Sequence, residues 1–296
     1  MTASDLPRVR LPSTSFTPAC DLPAIGQGTW FMGEGLAPRQ DEVRALQQGL
    51  DLGLTVIDTA EMYADGGAEE VVGEALAGRR DDAFLVSKVY PWNAGRGSAI
   101  AACERSLARL KTDHLDLYLL HWPGSIPLEE TLEDFERLRE SGKIRRFGVS
   151  NFDVDDLASL LELPGGNDCA VNQVLYHLGS RGIEHSLLPR QRRHGIPTMA
   201  YCPLAQAGTL RRELLTNPAV LDLADSLDIT PAQLLLAWAI HPVDDRRDVI
   251  AIPKAVQPEH VEQNAAALKV RLDDDSLARL DAAFPPPANK LPLDIV

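Results

Sequence analysis

The chain has 296 residues, 45% of them hydrophobic and 24% charged, with 29 Lys and Arg against 43 Asp and Glu for a net charge of -14. That apolar share excludes a disordered chain, and so acidic a surface excludes nucleic-acid and membrane-surface partners, because it repels phosphate backbones and anionic lipid. No apolar run approaches the ~20 residues that span a bilayer, and Met1 to Arg10 lacks the basic-then-apolar order of a signal peptide.

Short apolar runs alternate with amphipathic stretches along the chain. Ala24-Ile25-Gly26 is the first candidate strand, and Asp41 to Leu52, with Val43, Leu46 and Leu50 near a 3.6-residue period, is the first helix. Thr55-Val56-Ile57 and Phe84-Leu85-Val86 are strands two and three, followed by a helix over Ala99 to Leu110 that carries Ile100, Cys103, Leu107 and Leu110. Strand four is Leu115 to Leu120; the next helix, Leu132 to Arg139, stops at Ser141-Gly142. Arg146 to Val149 is strand five, and Asp153 caps a helix over Val154 to Leu161. Ala170 to Asn172, Pro197 to Ala200 and Val249 to Ile252 complete eight strands, with Thr230-Pro231 opening a helix over Ala232 to Ile240. Asp273-Asp274-Asp275 reads as the acidic first turn of another helix rather than a metal site.

Eight such units in roughly 250 residues predict an α/β fold, a single-domain (β/α)8 TIM barrel over residues 1–296, with an N-terminal extension 1–20 and a C-terminal tail 285–296. An open doubly wound sheet is the alternative. Its dinucleotide fingerprint is missing: Gly26-Gln27-Gly28 starts one, but Phe31 stands where the third glycine belongs.

In a barrel enzyme the chemistry sits at the C-terminal ends of the strands. There this chain places Asp58 and Tyr63 after strand two, Lys88 after strand three and His121 after strand four. Singly, each has a bland reading: Asp58 a helix cap, Lys88 a solvated charge, His121 a satisfied core histidine. At one face together they converge on a pocket, and they suit one task, donating a proton to a carbonyl oxygen as it becomes an alkoxide. Tyr63 would be the acid, Lys88 would lower its pKa from about 10 toward the working range, Asp58 would hold Lys88, and His121 would orient the carbonyl. No nucleophile–base dyad and no metal cluster competes. Cys20, Cys103, Cys169 and Cys202 form no CxxC pair and read as free thiols of a reducing cytoplasm.

These residues carry a resemblance. Val56-Ile57-Asp58-Thr59-Ala60-Glu61-Met62-Tyr63, Val86-Ser87-Lys88-Val89 and Leu119-Leu120-His121-Trp122-Pro123 resemble the catalytic segments of the aldo-keto reductases. Glu61 to Gly67 and Leu175 to Gly182 are similar to bacterial members that reduce methylglyoxal and related small aldehydes. The resemblance implies an NADPH-dependent reductase, NADH being a possible second cofactor, with a small-molecule carbonyl substrate. Gly28, Thr29 and Trp30 would line the nicotinamide end beside Asp58. Ser150, Asn151 and Gln173 would hydrogen-bond the carboxamide and Tyr201 would stack on the ring. Pro203 and the loop from Leu204 through Ala205 and Gln206 to Leu210 would wrap the pyrophosphate. Lys254 would meet the 2′-phosphate, with Ala255 and His260 at positions where many relatives carry Ser and Arg, and Gln263 and Asn264 would reach the adenine. The two replacements remove phosphate donors and open the way to NADH.

On the substrate side, Trp30, Trp92 and Trp122 follow candidate strands and would form a partly apolar pocket with Tyr63 and His121, whereas Trp238 reads as core. The short tail implies an open pocket. Arg145-Arg146 and Arg192-Arg193 read as solvated pairs; one of Arg211 and Arg212 would help hold a pyrophosphate in a second reading, ranked below plain surface decoration. With no exposed apolar stripe the chain is expected to be a cytoplasmic monomer. The alternative is a cofactor-binding regulatory or redox-sensing barrel with little turnover, which would not need all four of Asp58, Tyr63, Lys88 and His121.

Overall fold

A computed structural model describes residues 6–296. Eight parallel strands run in the order β3 (Gln27–Gly28), β4 (Val56–Asp58), β5 (Phe84–Val89), β6 (Leu115–Leu120), β7 (Ile144–Ser150), β8 (Asn172–Leu175), β9 (Thr198–Tyr201) and β10 (Val249–Ala251). The sheet closes on itself. Ile25 bridges Ala251 in parallel, Gly26 N–H donates to Ala251 O at 2.8 Å, and Gly28 N–H donates to Pro253 O at 3.1 Å. Closure needs a glycine there, because a Cβ on Gly28 would stand 2.6 Å from the carbonyl oxygen of Ile252. Strand interiors such as Val56, Ile57, Leu85, Val86, Leu117 and Leu119 are fully buried, as strands covered on both faces must be.

Helices α1 (Arg39–Asp51), α2 (Gly67–Ala75), α3 (Ser98–Leu110), α4 (Leu128–Glu140), α5 (Val154–Glu162), α6 (Leu187–His194), α9 (Pro231–Ala239) and α10 (Pro258–Ala267) surround the barrel, with α7 (Thr209–Leu215), α8 (Pro218–Ser226) and α11 (Asp274–Ala283) beside them. The expected helices are present, and two start as read: Asp153 forms a capping box with Asp156, and Thr230 forms one with Gln233. Asp273 caps α11 through Ser276 N–H, and Trp238 is buried in the core.

Part of the expected N-terminal extension, residues 1–5, lies outside the described residues. The remainder is structured. β1 (Arg8–Leu11) pairs antiparallel with β2 (Cys20–Pro23), burying Val9 and Leu11. Thr17 Oγ1 donates to Arg145 O at 2.9 Å, and Arg146 donates to Pro18 O, so the hairpin covers the N-terminal end of β7 and closes the barrel floor. This corrects the reading of Arg146 as solvated: it is 3% exposed, spent on the hairpin. Arg192 is likewise paired, its Nε 2.6 Å from Asp248 Oδ2.

Candidate active site

With the floor closed by the hairpin, the polar residues gather at the other end of the barrel. Asp58 ends β4, Lys88 is the penultimate residue of β5, His121 follows β6, Ser150 ends β7, Gln173 lies in β8 and Tyr201 ends β9. Asp58 pairs in register with Val86. Lys88, two residues further on, therefore shares the inward face with it.

Lys88 is wholly buried and fully coordinated. Its Nζ donates to Asp58 Oδ2 at 2.8 Å, to Thr59 O at 2.9 Å and to the Tyr63 hydroxyl at 3.0 Å. Gln173 Nε2 donates to the other carboxylate oxygen, Asp58 Oδ1, at 2.7 Å. Burial pushes the Asp58 carboxyl up and the Lys88 ammonium down, and the charge of each opposes the shift of the other. Desolvation, with Asp58 beside it, drives the Tyr63 phenol well above 10. That corrects the expectation that Lys88 brings Tyr63 down to the working range. Asp58 offsets the ammonium, so the phenol keeps its proton in the resting site.

The His121 ring meets Tyr63 edge-on, with centroids 5.9 Å apart. Burial, then the Lys88 charge, pushes its pKa down from 6.5 to about 2, so the imidazole is neutral. His121 Nδ1 is buried without a partner among the described residues. The other ring nitrogen, Nε2, makes no hydrogen bond with them and is left to the cavity.

Tyr63, His121, Trp30 and Trp122 line a cavity of about 690 Å³ at the barrel mouth, within the range of small-molecule and cofactor sites. Gly28, Thr29, Asp58, Ser150, Asn151, Gln173, Tyr201, Pro203, Leu204, Ala205, Gln206 and Lys254 belong to the same wall. Asn151 takes a left-handed φ of 58°. Its amide is engaged at both ends, Nδ2 donating to His121 O at 3.2 Å and Oδ1 accepting from the Tyr201 hydroxyl at 2.9 Å. Trp92, Ala255, His260, Gln263 and Asn264 lie outside the wall. Trp92 is 63% exposed and stacked on Tyr90, reaching the cavity only through its edge contact with Trp122. His260, Gln263 and Asn264 lie on α10, which follows Lys254 in the chain.

Sequence reasoning ranked one part of the wall too low and missed another. Arg211 joins Lys254 as the second cation along it, a position that α7 sets and no motif marks. The tail returns to the barrel, and Leu293, Ile295 and Val296 line the cavity. Lys290 Nζ is 2.6 Å from Asp153 Oδ2, and Ser180 donates to Asp294. A short tail thus still builds wall, contrary to the open pocket expected of it.

Among the described residues no group of three His, Cys, Asp or Glu is placed to hold a metal ion, and no helix is long and apolar enough to cross a membrane. The model of the aldo/keto reductase family matches residues 24–284. Methylglyoxal reductase YeaE of Escherichia coli is 59% identical over 95% of this chain and 98% of its own. Glyoxal reductase of Bacillus subtilis is 32% identical over 88% and 89%. An aldo-keto reductase from Klebsiella pneumoniae, solved in complex with NADPH, superposes with a TM-score of 0.92 at 57% identity, covering 98% of this chain and 99% of that one.

Proposed function

The chain belongs to the aldo/keto reductase family, and we propose that it reduces small reactive aldehydes and ketones, 2-oxoaldehydes such as methylglyoxal among them, with NADPH as reductant. The observation that carries this reading is the chain Asp58–Lys88–Tyr63, held at 2.8 and 3.0 Å beside His121 at the open end of the barrel.

The residues present fit the cofactor. One stretch of wall carries Lys254 and Arg211, local cations that a phosphate needs on a chain of net charge -14. Another carries Trp30, Tyr63 and His121, where a flat ring and a carbonyl would sit. Ser150, Asn151 and Gln173 would hold the carboxamide, Tyr201 would pack on the ring, and Pro203 to Gln206 would follow the pyrophosphate. Ala255, His260, Gln263 and Asn264 would take the adenosine end beyond the wall. Bound there, NADPH supplies the hydride that the protein lacks.

This chain's own groups manage the proton. Neutral His121 presents Nε2 to the carbonyl oxygen and orients it. Tyr63, a protonated phenol at rest, gives its proton to that oxygen as negative charge builds there. The phenolate left behind lies 3.0 Å from the Lys88 ammonium, which stabilises it, and Asp58 with Gln173 keeps that ammonium in place. Trp30 and Trp122, with Trp92 behind, give the substrate an apolar wall. A regulatory barrel without turnover has no use for this proton relay, and that favours the enzyme.

The wall is complete within one chain, which supports a monomer. Four unpaired cysteines suit a reducing cytoplasm. The test is consumption of NADPH with methylglyoxal. Tight NADPH binding with no turnover over a panel of aldehydes would favour the sensor instead.

A further inference from the structure

Tyr63 does not stand on a strand. It opens a short 3-10 turn, Tyr63–Gly66, whose next three residues all take left-handed φ: Ala64 at 53°, Asp65 at 51° and Gly66 at 90°. A non-glycine residue is strained there, so such a run persists only where its surroundings impose it. The hydroxyl must nevertheless stay at 3.0 Å from Lys88 Nζ, on a strand 25 residues away. Something must hold the turn against the strand.

Behind the site lies an ion pair, its carboxylate wholly buried and its guanidinium partly so, that the proton relay does not use. Glu69, in the first turn of α2, has no exposed surface. Its Oε1 accepts from Ser87 Oγ at 2.6 Å, and Ser87 is the neighbour of Lys88 on β5. Its Oε2 accepts from Arg109 Nε, on the last turn of α3, at 2.6 Å. The same guanidinium lies against Gly66: a Cβ built there would stand 2.5 Å from Arg109 Nε and 2.6 Å from its Cδ. Only glycine allows the turn to rest directly on the arginine. A Cβ on Gly33, in the loop before α1, would meet the backbone of Gly67 at 2.6 Å, so that loop packs against the first residue of α2, immediately after the turn.

We propose that Arg109 and Glu69 are positioning residues for the proton donor: Arg109 seats the Tyr63 turn through Gly66, Glu69 ties Arg109 to the Lys88 strand through Ser87, and together they fix the Tyr63–Lys88 contact. Neither touches the cavity, and Arg109 lies 46 positions from Tyr63 along the chain, so the role appears in no motif. The pair does more than fill the interior. It joins the two elements whose separation sets the phenol-to-ammonium distance, and it does so at the point where the backbone is strained. The inference rests on the reductase reading for its effect on turnover, but not for its effect on the phenol.

The experiment uses full-length protein. Arg109→Met alone leaves Glu69 as a bare buried charge and invites misfolding, so the informative variant is the double Glu69→Gln/Arg109→Met, with Arg109→Lys as the conservative control. Three quantities are read: kcat with methylglyoxal, NADPH affinity by fluorescence, and the ionisation of Tyr63 without cofactor, from ultraviolet difference spectra against the same protein carrying Tyr63→Phe. The double variant should bind NADPH within about twofold of wild type and lose at least tenfold in kcat. Its Tyr63 phenol should fall back toward its ordinary pKa of about 10, because the ring swings off Lys88 toward water. Arg109→Lys should recover part of both losses. Unchanged kcat and phenol ionisation in the double variant overturn the proposal. So does a kcat loss matched by lost NADPH binding with the phenol unmoved, which marks a merely structural pair. If wild type shows no turnover but the phenol moves as described, the reductase reading fails and the brace stands.

Discussion

Gln173 reaches across the barrel to Asp58, its Nε2 2.7 Å from Oδ1, although 115 residues separate the two. The amide expected to serve the nicotinamide carboxamide is therefore also a support of the Asp58–Lys88 pair. One donor does the supporting, and the amide oxygen stays available. The second donor contact of Nε2, to Met199 Sδ at 3.0 Å, fixes the amide's orientation.

Gln173→Glu follows directly. It brings a second carboxyl against a buried one whose pKa burial has already raised. Two carboxylates at that distance cannot both ionise, so one takes a proton and the hold on Lys88 weakens. The expected result is a kcat lower by about tenfold or more at neutral pH, recovering partly in Gln173→Asn or Gln173→Met, which add no charge. A variant with wild-type kcat would show that Gln173 acts on the cofactor alone.

Tyr63→Phe should remove most turnover, about 10²- to 10⁴-fold, and leave NADPH affinity within about twofold. The pH dependence follows from the two shifts. Tyr63 must be protonated to donate, and its pKa lies well above 10, so reduction holds up through the neutral and mildly alkaline range. His121, pushed to about 2, does not change charge there. The kcat profile should thus be flat across pH 6 to 9. An inflection near pH 6.5 that disappears in His121→Asn would contradict the neutral imidazole.

The strands were legible because apolar runs of β-branched and leucine residues with polar strand ends are what a doubly covered parallel strand requires. The relay was legible for the same reason, since Asp58, Lys88 and His121 interrupt those runs where they reach the open end. α2 was not, because Gly67 and Gly73 break its pattern and its Glu69 points inward to Ser87 and Arg109. The hairpin was missed because Val9 and Leu11 alternate over only four residues before a Pro- and Ser-rich loop. Arg211 and the tail are placed by tertiary folding alone: Lys290 finds Asp153 from 137 residues away, a pairing no local pattern announces. The Tyr63 pKa was misjudged because the sequence shows a neighbouring lysine but not the desolvation that outweighs it.

Lys254 lies on the cavity wall, and burial, with Arg211 also near, nudges its ammonium down from its ordinary value, opposed by Glu42. A bound phosphate would restore full charge. Lys254→Met removes one charge-assisted contact worth about 1.5–3 kcal/mol, a loss of about 10- to 150-fold in affinity for NADPH. NADH has no 2′-phosphate and should lose no more than about threefold. Dissociation constants for both cofactors, measured by fluorescence at one ionic strength, decide it. Equal losses would place the phosphate elsewhere, with Arg211 the next candidate.

Acid should destabilise the fold through two histidines kept neutral by burial. His177 is 1% exposed, its Nδ1 accepting from Gly179 N–H at 3.1 Å, and desolvation brings it from 6.5 to about 4 against the pull of Asp294. His121 lies lower still, at about 2. Between about pH 6.5 and 4 the unfolded chain binds protons at both sites and the folded chain does not. Stability is therefore complete above 6.5 and falls as pH falls through that window. At pH 5 each histidine costs about 2 kcal/mol relative to neutral pH, from about 1.4 kcal/mol per pH unit. Urea unfolding at pH 7.5 and pH 5 would measure it. His177→Gln should shrink the difference between the two pH values by about 2 kcal/mol, whatever it does to stability at pH 7.5. An undiminished difference would mean that His177 takes up its proton within the fold, with Asp294 and the tail it holds supplying the counter-charge.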